Sequence, residues 1–374
     1  MKWIRNLLIL LLLVFGFWFL YGETYEKAGI HGVVKDIETD ITQIIEHPFV
    51  EDSMQRLHSF IASLTDNQFS SDGNEEPEAI ENPELTEPES GQFSIHNIEI
   101  GDRKEKVEQE AGSPERTTLN EYDVQWETYH ENYQNFFMVA YDEEDRVIGL
   151  YTNQDLLSSQ DNISLEINRD ELLDTLHATP VDTIRKGLVN YEINSEGEYD
   201  LFLINHQYVT FFYDIHDNHT VTAIQIIDED MEQNKSDYFG ETSSDLKEGF
   251  EYQLFDLTNA ARVKHGLSPL QWKNPLRETA RKHSEDMAAN NYFSHTSLDG
   301  RSPFDRMEQD GITYHAAGEN LAAGQPSSIF AHEGLMNSLG HRENILKNEY
   351  NHLAVGVAFT NDAQPFYTEN FIAQ

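Results

Sequence analysis

Among the residues whose types could do chemistry at a shared centre, if the fold gathered them, are His295, Glu319 and His341. Two neutral imidazoles and one carboxylate can hold zinc or another divalent cation with water in the fourth place, a composition found in several hydrolytic zinc sites. The separations between them are far longer than a helical turn. They make no local motif and gain meaning only if the fold gathers them. The chain has no cysteine, which excludes a disulfide scaffold, Cys-ligated zinc and thiol catalysis. Ser294, Ser297 and Ser338 have a histidine nearby in sequence, but nothing resembling a nucleophile elbow surrounds them, and a serine hydrolase is rejected.

The elements that must position the trio are readable. Phe250, Leu254, Leu257 and Ala261 recur at helical spacing and are stopped by His265-Gly266. A second helix after Trp272 has an inner face of Leu276, Ala280, His283 and Met287, so His283 faces inward as a structural hydrogen-bonder rather than a ligand. His295 follows Tyr292-Phe293-Ser294 and precedes an Asp299-Gly300 turn, on a loop leaving that helix, where side chains are free to enter a cleft. Ser302-Pro303 with Asp305 is a helix start. Residues 328–339 and 341–346 read as short helices, with Ala354 to Phe359 and Pro365 to Phe371 as strands.

Four segments carry a family resemblance: Arg281-Lys282-His283-Ser284-Glu285-Asp286-Met287, Tyr292-Phe293-Ser294-His295, Gly318-Glu319-Asn320-Leu321, and Gly340-His341-Arg342-Glu343-Asn344-Ile345-Leu346. In order and wording they resemble the bacterial CAP (SCP) superfamily over about residues 246 to 374. The resemblance implies a three-layer α-β-α sandwich with a central cleft in which two histidines and two acidic residues meet, and His295, Glu319 and His341 match three of those four. The fourth acid falls at about Ser338, where relatives with the full tetrad have Glu, and Leu335 stands where bacterial relatives usually have Trp. Glu333 is the nearest acid that could replace the missing base.

Upstream, Lys2 and Arg5 precede the uncharged run Leu7 to Tyr21, an export signal. Small residues near a cleavage point are scarce, so residues 1–21 read as a signal anchor with the positive flank inside. The run falls short of the about 20 residues of a comfortable span, which keeps a removed signal peptide as the alternative. Residues 22–91 read as a juxtamembrane segment, with Ile37, Ile41, Ile44 and Ile45 at helical spacing, and then an acidic, proline-bearing linker from Ser70 to Gly91 expected to be extended and mobile.

Residues 92–231 read as a duplicated α+β domain. Gly101-Asp102-Arg103 leads a helix that is followed by strands at Trp126 to Tyr129, Phe136 to Tyr141 and Val147 to Tyr151; Asn168-Arg169-Asp170 leads a second helix, with strands at Tyr208 to Tyr213 and Val221 to Ile227. This stretch resembles the CAP-associated N-terminal region. His206, His216 and His219 fall near one another in it and read as solvated turn histidines rather than a metal site.

The formal net charge is −42. Residues 243–374, the C-terminal domain, contribute only −6, with 11 basic and 17 acidic side chains. The acidic field excludes nucleic-acid partners and anionic lipid surfaces; the membrane is reached through the N-terminal segment. The chain is expected to be an α+β, extracytoplasmic, membrane-tethered protein. Three roles for the trio stay open: a hydrogen-bonded network that pins loops, non-catalytic binding of a metal ion or of a small or lipid-like ligand or envelope component, and a metal-dependent hydrolase, a peptidase by preference.

Overall fold

The central strand residues Phe136-Phe137-Met138-Val139-Ala140 form a continuous apolar run, a pattern that calls for burial on both faces. The computed structural model describes residues 80–186 and 189–374; the expected anchor at 1–21 and juxtamembrane helix lie outside the described residues. The N-terminal elements are β1 (Phe93–Ile95), α1 (Lys104–Ala111), β2 (Arg116–Leu119), β3 (Gln125–Glu131), β4 (Gln134–Tyr141), β5 (Val147–Thr152), β6 (Leu157–Ser159), α2 (Arg169–Leu176), β7 (Thr183–Lys186), β8 (Val189–Glu192), β9 (Tyr199–Ile204), β10 (Gln207–Asp214), β11 (Thr220–Asp228) and α3 (Glu229–Asn234).

Seven strands form one antiparallel sheet in the order β2-β3-β4-β5-β11-β10-β9. One face, with Phe137, Val139, Val209 and Phe211, packs on Val107 of α1 and Leu172 of α2. The other, with Phe136, Met138, Ala140, Tyr208 and Phe212, packs on Leu257, Ala260 and Ile329 of the C-terminal domain. Each helix is tied down the same way: Arg103, at the start of α1, bridges Arg146 just before β5, and Asn168, at the start of α2, bridges Thr220 at the start of β11.

Residues 80–91 are not the free linker expected. Ile80 N donates to Gln134 Oε1 at 3.0 Å, Thr86 N to Asn97 Oδ1 at 2.9 Å, and Ser90 N and Oγ to Glu99 Oε2 at 3.0 and 2.8 Å. The segment is held by its peptide groups on polar side chains of the domain, a mode of attachment that apolar content does not report.

The C-terminal elements are α4 (Ser244–Lys264), β12 (Gln271–Trp272), α5 (Asn274–Asn290), α6 (Pro303–Gln309), β13 (Ala316–Ala323), α7 (Ser328–Asn337), α8 (Leu339–Ile345), β14 (His352–Phe359) and β15 (Pro365–Ala373). Their sheet runs β12-β14-β15-β13. Leu353, Val355 and Val357 of β14 pack on Phe250 and Leu254 of α4 and Leu335 of α7, while Ala354 packs with Leu276 of α5 and Met307 of α6. Helices therefore cover both faces, as the alternation of β14 demands. Gly356 lets α5 approach: a Cβ there would lie 2.1 Å from Arg281 N.

Helix α4 is buried on two sides, by its own sheet and by the N-terminal domain. Arg116 Nε donates to Asp256 Oδ2 at 2.7 Å, and Gln253 Nε2 to Thr118 Oγ1 and Leu119 O at 3.0 and 2.9 Å. Gly249 meets Leu119, whose carbonyl oxygen would lie 2.2 Å from an added Cβ. The two domains belong to one compact unit. His216, expected to be solvated, bonds through Nε2 to Asn337 O of α7 at 2.7 Å, because its turn lies against that helix.

Candidate functional site

The site is built from a loop, a strand and a helix start. His283, buried on the inner face of α5, is 3.0 Å through Nε2 from Ser294 O and so holds the loop that presents the neighbouring His295. Burial holds the His283 imidazole below its ordinary pKa, which suits a neutral donor to a carbonyl. Ser302 caps α6 in a reciprocal capping box with Asp305, and this short helix carries Arg306.

Arg306 organises the loop. Its Nη1 donates to His295 O at 2.8 Å and Ser297 Oγ at 3.0 Å, and its Nη2 to Glu319 Oε2 at 2.6 Å. The other carboxylate oxygen, Glu319 Oε1, lies 2.9 Å from His295 Nδ1. A carboxylate can only accept, so Nδ1 carries a proton, and Nε2 is the ring nitrogen turned away from Glu319. The Glu319 side chain is 2% exposed and that of His295 51%, the disposition of a buried orienter behind an accessible imidazole.

Glu319 sits on β13. Ala316-Ala317-Gly318-Glu319-Asn320-Leu321-Ala322-Ala323 has no β-branched residue; it is a strand because all eight residues pair with β15. The next residue, Asn320, donates to His341 O at 3.2 Å and to Glu369 Oε2 at 3.0 Å, and Asn344 Nδ2 donates to Asn320 Oδ1 at 3.0 Å. This amide pair fixes the start of α8 and with it His341. Burial, and secondarily the nearby His295, hold the His341 imidazole below its ordinary range, so it stays neutral and able to donate a lone pair.

The fold therefore brings the two histidines and Glu319 to one region. Both Glu319 oxygens are engaged by Arg306 and His295, however, and among the described residues no group of three or more His, Asp or Glu side chains has the geometry to hold a metal ion. Glu319 stands behind the His295 imidazole. Ser338 lies at the α7–α8 junction, where it offers a hydroxyl and no carboxylate. Glu333, the substitute base suggested by sequence, is committed elsewhere: it accepts from Tyr151 Oη at 2.6 Å and Thr222 Oγ1 at 3.4 Å of the N-terminal domain. Sequence reasoning missed Arg306, whose only signal was an arginine directly after a helix start.

Residues 255–371 match the cysteine-rich secretory protein (CAP) family and residues 100–238 the CAP-associated N-terminal family. The chain is a CAP-domain protein with a CAP-associated N-terminal domain. It is 29% identical over 303 residues to the uncharacterized membrane protein YlbC of Bacillus subtilis, an overlap of 76% of this chain and 84% of that one. Its CAP domain is 42% identical over 125 residues to the uncharacterized protein YkwD of the same organism, 33% of this chain and 48% of the relative. Two solved structures share the fold. An extracellular SCP-domain protein from Bacillus anthracis has a TM-score of 0.65 at 24% identity, covering 79% of this chain and 100% of that one. A cysteine-rich secretory protein from Staphylococcus aureus has a TM-score of 0.60 at 14% identity, covering 78% and 100%. Unlike that family's name, this CAP domain has no cysteine, so no disulfide holds it.

Proposed function

We propose that this protein is a membrane-tethered, extracytoplasmic binding protein whose CAP domain takes a divalent cation, zinc by preference, between His295 and His341 without catalysing turnover. The observation that carries this reading is the clamp of Glu319 between Arg306 and His295. A carboxylate on the far nitrogen of an imidazole fixes its tautomer and raises its basicity, the support that metal-bound histidines usually have. His341, held neutral by burial, supplies the second lone pair. When bound, the cation would present a Lewis-acidic position to a small or lipid-like ligand or an envelope component; the protein's part is to hold the two imidazoles in place. The peptidase alternative lacks support, because among the described residues Glu333, the candidate base, faces the other domain.

Tethering is supported by the uncharged run Leu7 to Tyr21 behind Lys2 and Arg5 and by the likeness to a protein named as a membrane protein. We also read the CAP-associated domain as an internal duplication. Its support is the matching attachment of α1 and α2 through Arg103–Arg146 and Asn168–Thr220, each helix tied beside one of the two central strands.

The test is calorimetric titration of Zn²⁺ into the untagged full chain and into a His295→Ala, His341→Ala double variant of unchanged circular dichroism. Saturable one-to-one binding lost in the variant is expected. Equal binding by both proteins, or by neither, removes the metal reading and leaves the trio as a network that pins loops.

A further inference from the structure

A second cavity, away from the histidine cleft, lies where the outer face of the seven-stranded sheet meets the β7–β8 pair and the segment leading into α7. It holds about 180 Å³, slightly more than the roughly 150 Å³ that accommodates a benzene ring in an apolar protein cavity. Tyr199, Tyr208, Tyr238, Phe330, Leu201 and Ile227 give it aromatic and aliphatic walls. The Tyr199 and Phe330 rings meet edge to face at 5.2 Å, so the wall is contributed by both domains.

Its polar groups decide what fits. Lys186 Nζ reaches Glu232 Oε1 and Glu232 O, each at 2.7 Å, and the second Glu232 oxygen accepts from Tyr122 Oη at 2.6 Å. Lys235 lies over the Tyr122 ring at 4.8 Å. These charges are answered within the protein, so the cavity calls for neither an anion nor a cation. Burial pushes the Glu121 carboxyl up to about 7, so near neutral pH that wall carries only part of a carboxylate's charge. Gln225 is different. It is 2% exposed, lines the cavity opposite Thr210 in the β10–β11 ladder, and its Nε2 has no hydrogen-bond partner. A buried amide donor left open costs stability, and a ligand acceptor placed on it recovers that loss.

We propose that this interdomain cavity binds a small neutral aromatic molecule carrying a hydrogen-bond acceptor, with the ring among Tyr199, Tyr208 and Phe330 and the acceptor on Gln225 Nε2. Aromatic walls favour a ring over an aliphatic chain of equal volume through edge and offset contacts. A mostly apolar pocket with a few convergent polar groups, here Gln225 Nε2 and the Glu121 carboxyl, is the general form of a small-molecule site. The site stands independently of the histidine cleft, since it shares no side chain with it.

The test is benzamide titrated into the full chain with isotope-labelled isoleucine methyls. Saturable one-to-one shifts at Ile227 and Ile184 are expected, with ring-proton contacts to the Ile227 methyls. Gln225→Leu, which keeps the volume and removes the donor, should weaken binding about tenfold, the loss of one hydrogen bond. Thr210→Met, which fills the space, should abolish it. Absence of saturable shifts at those methyls in the wild-type protein overturns the proposal, as does equal affinity in a folded Gln225→Leu variant. Should either variant fail to fold, the ring-proton contacts in the wild-type protein decide alone.

Discussion

Tyr151 Oη of β5 donates to Glu333 Oε1 of α7 at 2.6 Å, joining the middle of one domain's sheet to the second domain's helix layer. Around this bond lie Arg342 Nη1 to Asp214 Oδ2 at 2.8 Å and Asn337 Nδ2 to Tyr213 O at 2.9 Å. The apolar part of the interface would allow sliding; these directional bonds select one register.

Tyr151→Phe should therefore act on the coupling of the domains more than on either alone. The variant leaves the buried Glu333 with one donor fewer, a cost of about 1–3 kcal/mol. A single calorimetric transition in the parent should broaden or split in the variant. A single transition with unaltered midpoint would show that the bond contributes nothing to docking.

Arg306→Ala should be the more damaging change in the histidine cleft. Arg306 and Glu319 are 6% and 2% exposed at the side chain, and removing one partner of a buried pair costs about 3–5 kcal/mol. Arg306→Lys keeps the charge but cannot reach Glu319, Ser297 Oγ and His295 O together, so it should lower Zn²⁺ affinity while costing less stability. Urea denaturation beside zinc titration separates the two effects. Parent-like zinc affinity in the lysine variant would show that the clamp does not position His295.

Much of this arrangement was legible in the sequence. The 4-3-4 spacing of Leu276, Ala280, His283 and Met287 marked the inner face of α5, and all four are buried. Ser302-Pro303 and Asp305 marked the start of α6 because capping is local chemistry. What stayed hidden depends on partners distant in the chain. The strand carrying Glu319 is specified by β15, the destination of Glu333 by Tyr151, and the role of Arg306 by a loop and a strand that meet only on folding. The contact of the domains was likewise invisible, because the apolar runs that announce double-sided burial do not say what covers the second face.

The carboxyl of Glu369 gives stability a definite pH dependence. Burial pushes it up from 4.5 to about 7, even though Thr258 Oγ1 and Asn320 Nδ2 donate to it at 2.8 and 3.0 Å. A group whose folded pKa lies above its unfolded value stabilises fully below the unfolded pKa, and that stability is lost as pH rises through the folded one. Glu369 therefore favours the folded state at pH 4.5 and below, and its contribution fades up to about pH 7, a change of roughly 3 kcal/mol. Glu369→Gln keeps the acceptor for Asn320 and removes the titration. Its stability should fall less than the parent's between pH 5 and pH 7.5, and parallel stability curves would count against this assignment.

Two glycines of the CAP domain make a contrast that tests the packing of α5 on β14. A Cβ at Gly356 would lie 2.1 Å from Arg281 N and 2.3 Å from Ala280 C, both backbone atoms that cannot swing aside, whereas one at Gly340 in α8 meets nothing within 4 Å. Gly340→Ala should accordingly stabilise by about 0.5–1 kcal/mol through helix propensity. Gly356→Ala must push α5 off the sheet, an overpacking cost of about 1–3 kcal/mol or more. Because α5 holds His283, and His283 holds the carbonyl of Ser294, the displaced helix should also loosen the His295 loop and weaken zinc binding. Chemical denaturation and zinc titration of the two alanine variants, measured side by side, give opposite signs for stability if the close approach is real. A Gly356→Ala protein with parent-like stability and zinc affinity would mean that α5 stands farther from β14 than the fold places it.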